Sequence, residues 1–216
     1  ELGQKAICFT EHGKLLGWTA KKMYCESKGI KYLHGVEAYL TESHETKVRD
    51  NYHTILIAKN HKGFMELNSL MSLSEDETHF YYKNRISFDE FLKISNNIIK
   101  TSACLASPLN KLPITHPYYE RLAKKYDYYE IQGHNNDEQI KYNQHLVQLA
   151  QKYNKPLIAG TDAHSIDQYK ADCRGIILSA KNIQFSGEEQ FDLTYKSYNQ
   201  LVSMFGTQSA IPEQTY

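Results

Sequence analysis

Short apolar runs alternate along this chain with stretches in which apolar positions recur every three or four residues, the signatures of buried strands and amphipathic helices. The run AICFT (6–10) predicts the first strand, and residues 18–27, closed by Gly29, a helix. KYLHGVEAYL (31–40) predicts a second strand, followed by a polar loop over 41–51 and a third strand, HTILIA, at 53–58. Phe64, Leu67 and Met71 then fall on one face of a helix over 61–73. NIIKTSA (97–103) and YDYYEIQG (126–133) predict further strands, and Leu146, Leu149, Ala150 and Tyr153 mark a helix that stops before Lys155-Pro156. PLIAG (156–160) is the last strand predicted, with helices near 171–180 and 198–205 after it. This order predicts an α/β fold with a mainly parallel sheet. No glycine-rich phosphate fingerprint follows any strand, which disfavours a dinucleotide-binding sheet. A closed or nearly closed barrel with a site on the C-terminal rim is expected instead.

Composition changes this picture little. Lys and Arg together number 25, as do Asp and Glu, so the formal charge is zero and any nucleic-acid contact has to be local. No apolar run approaches the roughly 20 residues of a membrane span. A signal peptide is not expected, and ELGQKA reads as a helix end entering a strand. The four Cys are widely spaced and form no CxxC pair, which argues against a disulfide framework or a zinc finger and fits a reduced, cytoplasmic protein. Without linker-like composition, 1–216 is expected to be one domain.

Candidate chemistry collects at the ends of the predicted strands. GTDAHS places Asp162 and His164 two residues apart past the last strand, and Glu11-His12-Gly13 follows the first. A carboxylate beside an imidazole suits a borderline metal ion such as zinc or manganese. Glu37 and Cys104 lie at further strand positions. Singly, each has a plainer explanation: His12 as a turn residue, Glu37 on the polar face of an edge strand, Cys104 as a small core residue. Together they favour ligation. His53 precedes its apolar run, so strand logic places it at the wrong rim. His34, His44, His61, His79, His116 and His145 read as surface residues.

The segments FTEHGKLLG (9–17), GIKYLHGVEAYL (29–40), YHTILIAKNHKGFMELNSLMSL (52–73), FYYKNRIS (80–87), TSACLAS (101–107) and GTDAHSID (160–167) resemble the PHP domain. They resemble more closely the form found at the N-terminus of bacterial DNA polymerase III alpha subunits, to which YHTILIAKN and FYYKNRI are specific. SYNQLVSMF (197–205) is similar to the passage leading out of that domain. The resemblance implies a distorted, TIM-like barrel of seven βα units, with metal-ligand roles for His12, Glu37, His53, Cys104, Asp162 and His164, so that it brings His53 back into the set. It also implies up to three divalent ions, zinc foremost and manganese or iron otherwise. The family opens with a His-x-His strand and a following Asp that this sequence does not contain, so the barrel is expected to be incomplete at its N-terminus, by boundary or by genuine loss. Glu11 stands where the family has Asp.

The implied activity is that of a DNA-directed DNA polymerase in which this domain binds metal and performs 3′–5′ exonuclease proofreading, meeting DNA through the parent polymerase. Nothing in the sequence resembles the palm carboxylates, so the polymerase reaction lies outside it. Two alternatives stay open: a free-standing PHP phosphatase of the histidinol-phosphatase kind, and an inert scaffold that docks a separate proofreading subunit. Clustered divalent ions suit phosphoester hydrolysis because they acidify bound water and hold both the attacking and the leaving oxygen. Lys83 and Arg85 are candidates for a substrate phosphate, though a solvated basic loop explains them equally. His134 is a candidate for substrate contact or support of the ligands.

Overall fold

β1 (Ala6–Phe9) delivers a short apolar strand into α1 (Trp18–Ser27), and Gly29, at φ +67, turns the chain back. β2 (Lys31–Thr41) follows, buried from His34 onward on both faces. That is the burial of a central strand, and β2 pairs with β1, β3 (Tyr52–Ala58) and the two-residue β4 (Ile86–Ser87). Glu37 is therefore not on an edge strand, and it is 4 % exposed. The structure, a computed structural model, describes residues 3–183 and 191–206. It divides into two compact units at Tyr128/Tyr129.

The first unit carries a sheet in the order β1-β2-β3-β5, with β4 paired to β2 and β5 at Ile98–Thr101. The expected mainly parallel arrangement does not hold here: β3 runs antiparallel to both β2 and β5. The reason is the connection. Residues 42–51 are a loop without a helix, and a strand can enter beside its predecessor in parallel only after a longer crossover. α2 (His61–Ser74) is capped by Asn60, whose side chain accepts from Gly63 N, and it buries Gly63, Leu67 and Met71. α3 (Phe88–Lys93), α4 (Pro108–Lys111) and α5 (Tyr119–Lys125) are short helices that the apolar pattern did not announce. α3 begins with a capping box in which Ser87 and Glu90 satisfy each other's backbone N–H.

The second unit is built on a βαβ step. β6 (Tyr129–Gln132) and β7 (Leu157–Gly160) are parallel and joined by α6 (Asp137–Tyr153). Leu146, Leu149 and Ala150 of α6 are buried as expected, and its Asn143 side chain donates to Gln132 O at 2.7 Å, which fastens the helix to the end of β6. α7 (Gln168–Ala180) and α8 (Tyr198–Gly206) complete the order. The fold is thus mixed α/β, as expected. The described strands form two sheets and no closed barrel.

Candidate metal centre

The antiparallel β3 resolves the position of His53. Its first residues lie beside the far end of β2, with His53 directly opposite Tyr39. Glu37 and Tyr39, two apart on β2, point to one face. β1 runs parallel to β2 and continues as an isolated bridge between His12 and Glu37, so His12 arrives at the same place from the other side. β5, antiparallel to β3, ends near the start of β3, and His53 N donates to Ala106 O at 3.0 Å, holding the Cys104 turn against it.

Four donors converge as a result. His53 Nδ1 lies 2.9 Å from Glu37 Oε1 and 3.4 Å from Cys104 Sγ, and His12 Nε2 lies 3.2 Å from Glu37 Oε1. Glu37, His53 and Cys104 each present a ligand atom within 4.8 Å of the others. From ordinary zinc–nitrogen and zinc–sulfur bond lengths, donors on a tetrahedral zinc sit about 3.3–3.6 Å apart. The observed separations need to change by only a few tenths of an ångström. A buried carboxylate facing two imidazoles and a thiol is a donor set for zinc or iron rather than magnesium, and the cluster fits such an ion.

Asp162 and His164 lie in the second unit. Asp162 takes a left-handed φ of +48, uncommon outside glycine. His164 Nδ1 is 2.7 Å from Asp162 O and 3.7 Å from Asp162 Oδ1, while His164 N donates to Leu193 O. The two side chains thus form a local pair.

Glu11 uses its backbone here, accepting from Glu37 N at 3.1 Å, while its carboxylate pairs with Lys21. Lys83 donates to Tyr39 OH at 3.2 Å and lies over the Tyr39 ring, which in turn packs on His53. Arg85 is placed differently. It is 1 % exposed, and its guanidinium donates to Val48 O at 2.6 Å, anchoring the 42–51 loop. His134 is buried against Phe191, and neither ring nitrogen has a hydrogen-bond partner among the described residues. Burial pushes its pKa down to about 4, against the partly compensating charge of Asp192.

Tyr39 is a member of the site that sequence reasoning missed. Burial, with Glu37 and Cys104 nearby, raises its phenol to about 12, so it stays neutral and can donate. Its spacing from Glu37 was the available signal. The surface reading of His34 is corrected: it is buried, contacts Tyr32 and Asn68, and packs against Trp18 and Phe64.

Fold and cluster together define a mixed α/β domain with a transition-metal type of donor set gathered at its strand ends. The chain belongs to the PHP domain family, whose signature matches residues 1–145. It is similar to the DNA polymerase III subunit alpha of Borreliella burgdorferi, 33 % identical in an alignment 189 positions long that covers 80 % of this chain and 16 % of that one. The corresponding protein of Aquifex aeolicus is 32 % identical over 77 % of this chain and 16 % of its own length. The chain therefore spans about 16 % of the length of these curated relatives. Among solved structures, PsfC from Pseudomonas syringae PB-5123 overlays with a TM-score of 0.45 at 15 % identity, covering 74 % of this chain and 62 % of its own. Among the described residues no helix is long and apolar enough to cross a membrane.

Proposed function

We propose that this chain is the PHP portion of a DNA polymerase III alpha-type replicative polymerase and that it holds divalent metal for phosphoester hydrolysis of the 3′–5′ exonuclease kind. The observation that carries the metal reading is the approach of His53 Nδ1 to both Glu37 Oε1 and Cys104 Sγ. His12, Glu37, His53 and Cys104 are the proposed ligands in the first unit, and Asp162 and His164 the proposed ligands in the second. Bound divalent ions would supply an acidified water and charge stabilisation for the phosphoester oxygens. Cys104 binds as a thiolate, which favours zinc or iron.

The surrounding residues have roles of their own. Lys83, held by Tyr39, carries the positive charge that meets a substrate phosphate. Tyr39, kept neutral, orients Lys83 and walls off His53 from solvent. Arg85 sets the 42–51 loop. DNA reaches the domain through the parent polymerase, whose polymerisation chemistry lies in the remaining length of such proteins. The resemblance to DNA polymerase III alpha subunits, carried by the YHTILIAKN and FYYKNRI segments, supports this reading.

Elemental analysis of protein purified without added metal tests the proposal, with Asp162→Ala/His164→Ala and His53→Ala/Cys104→Ser variants alongside. Wild type is expected to carry zinc, iron or manganese, and each double variant to carry less. Metal-loaded protein is then expected to cleave single-stranded DNA from its 3′ end. Metal-free protein from all three preparations would leave the domain as a docking scaffold.

A further inference from the structure

A second set of metal-type donors lies in the first unit, built from segments that contribute nothing to the cluster above. His44 comes from the 42–51 loop, His79 from the turn after α2, and Glu90 from the first turn of α3. His44 Nε2 is 3.0 Å from Glu90 Oε2, and His79 Nε2 is 2.8 Å from Glu90 Oε1. The two imidazole centroids are 4.1 Å apart. All three donor atoms lie within 4.8 Å of one another, and the side chains are between 11 % and 24 % exposed. Surface histidines, as the sequence suggests, would not share one carboxylate.

The outer partners favour a cation at this point. Glu90 Oε2 already accepts from Ser87 N at 2.7 Å and Ser87 Oγ at 2.9 Å, which fixes the carboxylate through the capping box. Oε1 faces His79. The far nitrogen of His79 lies 2.9 Å from Thr78 Oγ1. When Nδ1–H donates to that hydroxyl, the Nε2 lone pair is left facing Glu90. In that tautomer a divalent cation between Nε2 and Oε1 replaces the N–H···O bond that the other tautomer makes across the same 2.8 Å. A ligating histidine held through its second nitrogen is a recurrent feature of metal sites. Two imidazoles and one carboxylate leave a coordination position for water and select zinc, nickel or cobalt over magnesium or calcium.

We propose that His44, His79 and Glu90 form a second divalent-metal site, of the zinc class, which ties the 42–51 loop to the start of α3. It shares no ligand with the His12/Glu37/His53/Cys104 cluster and contains no sulfur. That difference gives the test. The metal-free 216-residue chain is titrated with Co²⁺ and followed by absorbance in three forms: wild type, His53→Ala/Cys104→Ser, and the latter combined with His44→Gln/His79→Gln. The His53→Ala/Cys104→Ser protein is expected to bind cobalt with a d–d band but no thiolate charge-transfer band. Adding the His44 and His79 substitutions is expected to abolish that band. An unchanged band after those substitutions overturns the proposal, as does the absence of any sulfur-free band in the Cys104 variant. Because the quadruple variant could fold poorly, Zn²⁺-induced thermal stabilisation is measured in His44→Gln/His79→Gln alone, with circular dichroism to confirm folding. A folded variant that keeps its sulfur-containing cobalt band and loses one equivalent of zinc supports the site; one that keeps every equivalent rejects it.

Discussion

Gly13 shows how tightly single residues hold the cluster. It has φ +63, donates its N–H to Glu37 O at 2.7 Å and accepts from Asn84 at 2.6 Å, fixing the turn that presents His12. A Cβ there would lie 2.7 Å from both Asn84 Oδ1 and the Tyr39 ring. Gly17 has the same φ but nothing within 4 Å of its would-be Cβ. The two positions separate conformational strain from collision. Left-handed backbone costs a non-glycine residue about 1–2 kcal/mol, so Gly17→Ala is expected to lose about 1 kcal/mol in urea unfolding. Gly13→Ala is expected to lose about 3 kcal/mol, since a buried ring has to shift as well, and to bind less metal. Equal losses in the two variants would mean that Tyr39 and Asn84 yield freely. The importance of His12 was legible from its place after β1. The need for glycine beside it was not, because it comes from residues 26 and 71 positions away.

The strands and helices that the apolar pattern predicts are present, the four-residue strands β1, β5, β6 and β7 among them, and α1, β2, β3, α2, α6 and α8 lie within a few residues of expectation. The direction of β3 was not legible. Apolar spacing sets which residues face a core, whereas strand direction depends on the connection, and the polar loop over 42–51 was read without its consequence. That omission misplaced His53, and only the family resemblance recovered it. α3, α4 and α5 are too short for a periodic stripe to stand out. β5 carries a further surprise, a lysine that is 1 % exposed within an apolar strand. Lys100 Nζ donates to Ile98 O at 2.7 Å and lies 2.9 Å from Asp127 Oδ2, while Lys100 N also donates to that carboxylate. The strand is thereby fastened to the segment just after α5. Removing one partner of a buried pair strands the other charge. Asp127→Ala is expected to cost about 3 kcal/mol, the 26 % exposure of Asp127 keeping it at the lower end of such losses. Lys100→Met/Asp127→Ala is expected to recover most of that. If the double variant is as unstable as the single, the backbone bond from Lys100 N, not the buried charge, is what matters.

At the scale of the whole molecule, the lack of linker composition leads to an expectation of one domain, and the structure gathers into two compact units whose boundary falls between consecutive tyrosines. A boundary between two tyrosines carries no compositional mark, since it is set by which segments pack together. The acid sensitivity of folding is a global property, and between pH 6.5 and 4.5 one residue of the second unit contributes to it through a large shift. His134 is buried on Phe191 and faces Asp192 and Lys196; burial outweighs Asp192 and holds its pKa at about 4 against an ordinary 6.5. Its depressed value means that the unfolded chain binds the proton first. The stability from keeping this ring neutral is complete above pH 6.5 and is lost as pH falls toward 4, with a slope of at most about 1.4 kcal/mol per pH unit for one group. His34 and His145 are also lowered by burial and add to the wild-type slope with the same sign. The urea midpoint is therefore expected to fall steadily between pH 6.5 and 4.5. In His134→Phe, which keeps an aromatic ring against Phe191, that fall should be shallower by close to the single-group slope, with stability near pH 8 largely preserved. Equal slopes in wild type and variant would show that the imidazole is reached by water or protonated in the folded state, and its role would then have to be sought in contact with substrate.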